Sequence, residues 1–143
     1  MFYSLDEHEM RIEGINKPQL ELGSKFSPLE LEVRCVDFEK KIAEDCLYLP
    51  EFSYRIDELC KHYTTNDLLR ASSLYATDLF SARNELLQFM SVNSACEGKI
   101  PSELKNEFER LQKKLSNAII YDKMLRIAIE IKQQETAQLQ EDI

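Results

Sequence analysis

Tryptophan is missing from this 143-residue chain, and glycine, proline and histidine are scarce, with three, four and two copies. Each shortage removes a class of protein. A β-sandwich or barrel needs turn residues about every ten positions, and so few Gly and Pro cannot supply them. Gly14, Gly23 and Gly98 are too scattered to build a phosphate cradle of the P-loop or dinucleotide type. The histidines, His8 and His62, have no nearby Cys or Ser in a nucleophile setting, and no His-Glu-x-x-His or calcium-loop spacing occurs. Cys35, Cys46, Cys60 and Cys96 lie 11, 14 and 36 positions apart without a Cys-x-x-Cys pair, which does not suit a zinc site. Three of them fall on or beside helical apolar stripes, where a thiol behaves as a small hydrophobe. No catalytic, cofactor-binding or metal-ligating set is expected, and the chain reads as non-enzymatic.

Positive charge is also short. Eighteen Lys and Arg stand against 26 Asp and Glu, for a net charge of −8 and a pI near 4.9. Nucleic-acid affinity is built from cations that neutralise phosphates, so direct binding to DNA or RNA is not expected and a basic partner is easier to accommodate. The imbalance sits at the front: counted directly, the first sixty residues carry −7 and the rest −1. The acidic start, Met1 to Met10, has no apolar run of signal-peptide type, and no segment has the length and apolarity of a membrane span. The expected location is the cytoplasm, with reduced thiols; any export would proceed without a cleaved signal.

What remains is a helical pattern, 43% hydrophobic and 31% charged. The expected fold is all-α, a small helical bundle built on a long antiparallel helical hairpin, with an irregular acidic N-terminal arm over residues 1–26 and a single helical domain over 27–143. Ser27-Pro28-Leu29-Glu30 has the composition of a capping box with proline in the first turn. Leu31, Cys35, Phe38, Ile42, Cys46 and Leu49 follow at spacings of three and four, which predicts a helix over about 28–48. Pro50 starts a second, about 51–63, with Phe52, Ile56, Leu59 and Cys60 inward. A third, about 65–91, is capped by Thr64 or Thr65; its stripe alternates small Ala71 and Ala82 with larger Tyr75, Leu79 and Leu86, so that a neighbour can approach closely. Residues 91–99 make the turn-back into a last helix, about 101–139, ending in the polar run Gln133 to Gln140, which has the composition of a fraying tail.

The last helix carries the strongest signal. Ala118 to Ile131 is apolar on nearly every side, and a helix of that kind must be sandwiched, either centrally in its own domain or between subunits. On the second alternative Leu111, Leu115, Ile119, Ile120, Met124, Leu125, Ile127 and Ile131 supply contact area to a protein partner, including a second copy of the chain in a homo-oligomer with coiled-coil-like packing.

The tract Pro101-Ser102-Glu103, followed by Leu111-Gln112-Lys113-Lys114-Leu115-Ser116-Asn117 and an apolar helix, resembles the C-terminal helix of the inner-rod, or needle-adaptor, subunits of bacterial type III secretion systems. The resemblance covers about forty of the 143 residues. It implies a helix that packs against copies of itself in a tubular assembly. The function expected on these grounds is protein–protein interaction and assembly, as a component of a secretion apparatus or a chaperone for one. The alternative is an acidic helical inhibitor that mimics nucleic acid towards a basic host protein, displaying Asp6, Glu7, Glu9, Glu13, Glu30, Glu32, Asp37 and Glu39 along one ordered face.

Overall fold

Two residues that precede prolines set the boundaries of the first helix. Clash with the proline ring disfavours the helical region for the residue before it, and Ser27 is extended (ψ 159°), which frees its hydroxyl to accept the Glu30 N–H at 3.2 Å. The computed structural model describes Leu20, residues 27–93 and residues 101–141, with side chains up to residue 138. The expected arm over 1–26 (Leu20 and the helix start apart), the connection over 94–100 with Cys96, and the last side chains lie outside the described residues. Helix α1 runs Pro28–Asp45 and tightens into a 3₁₀ turn, Cys46–Tyr48. Leu49, before Pro50, is extended again (ψ 133°) and closes that turn, so the expected last turn of the first helix is 3₁₀ rather than α.

Helix α2, Pro50–His62, joins α3, Thr65–Val92, through only Tyr63 and Thr64. Thr64 makes the full reciprocal cap: its Oγ1 accepts from Asp67 N at 3.1 Å, and its own N–H donates to the Asp67 carboxylate at 3.2 Å. At Ser27 the carboxylate of Glu30 instead accepts from the Ser27 hydroxyl, at 3.1 Å. Thr64→Ala is expected to cost about 1 kcal/mol in urea unfolding. The Thr64 hydrogen bonds hold the Asp67 carboxyl below its ordinary pKa. Its share of the cap is therefore present at neutral pH and is lost as pH falls through that lowered value.

Helix α4, Ser102–Glu141, returns along α3. Phe89 stacks on Phe108 (6.0 Å), Lys114 meets Glu85 (2.9 Å), and Tyr75 stacks on Tyr121 (6.0 Å), a falling register that makes the pair antiparallel. This is the expected hairpin. Helix α2 lies on α4 in the same direction: Arg55 Nη1 donates to the Tyr121 hydroxyl (3.0 Å), and further along the Lys132 ammonium donates to the Cys60 carbonyl (3.0 Å). Helix α1 packs on both members of the hairpin. Leu20 N–H donates to the Gln112 side chain at 3.3 Å.

The core is the meeting of these stripes. Phe38, Ile42, Leu68, Leu86, Met90, Leu115, Ile120 and Met124 are each 2% exposed or less. Ala71 and Ala82 are buried as the close-approach positions on α3. Where a hydroxyl enters this core it is satisfied within its own helix: Ser116 Oγ donates to the Gln112 carbonyl at 2.8 Å. Beyond Lys132 the side chains from Gln133 to Gln138 are exposed. The helix nevertheless continues to Glu141, because propagation from an already formed helix avoids the cost of a nucleus.

Candidate interaction surface

The apolar segment of α4 is sandwiched inside one chain. All side chains from Leu115 to Tyr121 are buried, with α3 on one side and α1 and α2 on the others. Of the residues expected to supply contact area, Leu111, Leu115, Ile119, Ile120, Met124 and Leu125 are each 6% exposed or less, and Ile127 and Ile131 are half-buried against the same core. The neighbours that cover this helix are α3 and the α1–α2 pair of the same chain.

Apolar side chains left over lie elsewhere. On α1 the stripe Leu31, Cys35, Phe38 and Ile42 faces inward, and a second stripe interleaves with it: Leu29 (70% exposed), Val33 (52%) and Val36 (59%). These sit at i, i+4 and i+7, two positions out of phase with the first set. At 100° per residue they fall on the opposite face of the helix. Helix α1 thus has the two-sided apolarity for which α4 is sandwiched, but among the described residues only one of its sides is covered. Both stripes were legible as spacings of three and four, and the inward one, being longer, masked the other.

Ordered carboxylates flank this outer stripe instead of forming a face of their own. Glu30 and Asp37, seven apart, lie on one flank and Glu32 on the other. Glu39 shares Glu32's flank and is turned to α3, where its carboxylate accepts from Arg83 Nε at 2.7 Å. Of the eight carboxylates expected along one face, Glu30, Glu32 and Asp37 thus border the apolar row on both sides and Glu39 is engaged by Arg83. Asp6, Glu7, Glu9 and Glu13 lie outside the described residues.

The Glu39–Arg83 pair also marks where α1 meets α3. Val36 stands one turn before Glu39, and Phe80, 60% exposed, stands one turn before Arg83, so both border the pair. Leu69 (43%) and the exposed Ala76 continue Phe80's side of α3 at helical spacing. Two residues on from Arg83, polar contacts tie α3 to α4: Glu85 accepts from the Lys114 ammonium at 2.9 Å, while Arg110 is held bidentate by Glu107 (2.6 and 2.9 Å).

Among the described residues no group of His, Cys, Asp and Glu is placed to hold a metal ion, and no helix is long and apolar enough to cross a membrane. His62 is exposed and pairs with Glu58 at 3.1 Å, while His8 lies outside the described residues. Burial pushes the Cys35 and Cys46 thiols up to about 11, and Cys60, half-buried and directed at the Ala128 carbonyl, is raised as well. The thiolate is the reactive form. Brief alkylation of the native protein at pH 8, read by peptide mass spectrometry, is expected to spare Cys35 and Cys46 and to label Cys60 ahead of them. Comparison of the chain with protein-family models, curated proteins and solved structures gives no match.

Proposed function

We propose that this chain is a non-enzymatic protein–protein interaction module that takes part in assembly, working through the outer faces of α1 and α3. The observation that carries this reading is the exposed apolar row Leu29–Val33–Val36 on α1, with Phe80 exposed on α3 beside the Glu39–Arg83 pair where the two helices meet. Large apolar side chains grouped on one region of a folded domain mark contact sites more often than scattered ones do. The resemblance of α4 to inner-rod subunits of type III secretion systems supports the same class, a component of a secretion apparatus or a chaperone for one. In that setting the α4 seam would pack on copies of itself only after α1 to α3 had been displaced, because they bury it in the monomer. A chaperone-like or adaptor role through the outer faces needs no such opening.

Photo-crosslinking in cells that carry the gene tests the proposal. A photoreactive residue at Val36 or Phe80 should give discrete protein adducts, and one at Lys105, on the exposed side of α4, should not. Absence of adducts from every outer position on α1 and α3 would overturn it.

A further inference from the structure

Resting on that reading, we infer that the outer face of α1 receives an amphipathic helix of a different protein, one whose apolar edge is bordered by Lys or Arg. The geometry for a helix is present: Leu29, Val33 and Val36 repeat at i, i+4 and i+7, the spacing that a second helix meets with its own ridge of side chains. The charge of the occupant follows from the flanks. Between residues 29 and 37 there are three carboxylates, Glu30, Glu32 and Asp37, and one base, Arg34, on the flank of Glu30 and Asp37, so this window carries −2 with acids on both sides of the stripe. The exposed Lys40, four past Val36 on the same row, ends the stripe, so the occupant's own bases are favoured beside Leu29 to Val36 and not beyond.

The same observations select against other occupants. A two-fold axis through Val33 would set this −2 window against an identical one, and like charges across an interface cost affinity. Three side chains also offer at most a few hundred Å², below the roughly 800 Å² per partner of a stable dimer. An anionic membrane or a nucleic acid would meet carboxylates on both edges of the stripe and be repelled. A basic helix meets apolar surface along its centre and opposite charge on each side. Long Lys and Arg side chains reach across such a stripe to flanking acids while their methylene stems cover apolar surface.

The test uses the full chain and a helix-stabilised synthetic peptide with three leucines at the same spacing, flanked by lysines. One control peptide has glutamates in place of the lysines, and another has serines in place of the leucines. Binding is followed by anisotropy and mapped by amide chemical shifts. The expected result is saturable binding of the lysine peptide, with shifts confined to Leu29–Asp37 and neighbouring turns and no binding of either control. Val33→Ser, whose unfolding curve should be unchanged because the residue is exposed, is expected to weaken binding about tenfold. Raising NaCl from about 50 to 300 mM is expected to weaken it several-fold. The double variant Glu32→Lys, Asp37→Lys should lose the lysine peptide and gain the glutamate one. Equal binding of both charged peptides, shifts centred on Phe80, or no saturation by about 1 mM would overturn the inference. So would concentration-dependent self-association of the intact chain that Val33→Ser abolishes, which would assign the face to a second copy. None of these results removes in-cell adducts at Val36 or Phe80, so this assignment can fail while the interaction reading stands.

Discussion

Ile120→Asp is expected to leave no folded population at 25 °C. Ile120 is fully buried within the seven consecutive buried residues of α4, with helices packed on both sides. The substitution forfeits about 3 kcal/mol of apolar burial and forces a carboxyl either to stay ionised in that environment or to bind a proton, at a cost of several kcal/mol more. A domain of this size is typically stable by only about 5–15 kcal/mol, so the sum reaches or exceeds the total. Far-UV circular dichroism should show loss of most helical signal, whereas Ile120→Val, which removes one methyl group, should unfold cooperatively with a loss of about 1 kcal/mol. A folded Ile120→Asp protein would mean that this face of α4 is open to water.

Phe38→Ala is expected to cost about 3–5 kcal/mol. Phe38 is 2% exposed and is the largest side chain on the inward stripe of α1, which is held to α3 and α4 by that stripe and by the Glu39–Arg83 pair. Helix α1 touches both members of the hairpin, so the loss should appear in global urea unfolding and not as separate melting of α1. Val36→Ser, two residues away and 59% exposed, should change stability by less than about 0.5 kcal/mol. The pair separates the two faces of one helix: the first variant reports the core, the second leaves the fold intact for binding work.

Helix existence and phase were legible because spacing and punctuation agreed. Pro28 and Pro50 fix starts, the extended Leu49 before Pro50 fixes a stop, and the inward stripes of α1, α2 and α3 are the ones that the spacings of three and four mark out. Boundaries slipped where composition is a poor guide. The 3₁₀ character of Cys46–Tyr48 depends on Leu49 being forced extended, and the continuation of α4 to Glu141 depends on the buried turns before it. The covering of α4 was out of reach for a different reason. A helix that is apolar all round needs neighbours, but periodicity carries no label saying whether they belong to the same chain. Leu111, Leu115 and Ile119 would have the same spacing at a subunit interface. The outer stripe of α1 was present in the letters, yet Leu29, Val33 and Val36 became notable only when the inward stripe was seen to be fully used and no described residue lay over the other side.

The most direct measurement is size-exclusion chromatography with light scattering, run over a concentration series on the intact chain and on Ile127→Asp. Ile127 is half-buried beside the core of α4, so the substitution strikes the apolar segment at its edge. If α4 is enclosed by its own chain, the intact protein should run as a 16.8 kDa monomer at every concentration, and Ile127→Asp should be a destabilised or unfolded monomer. A concentration-dependent oligomer that Ile127→Asp dissolves into stable, folded monomers would contradict that result. It would place the apolar helix between copies of the chain instead of within one.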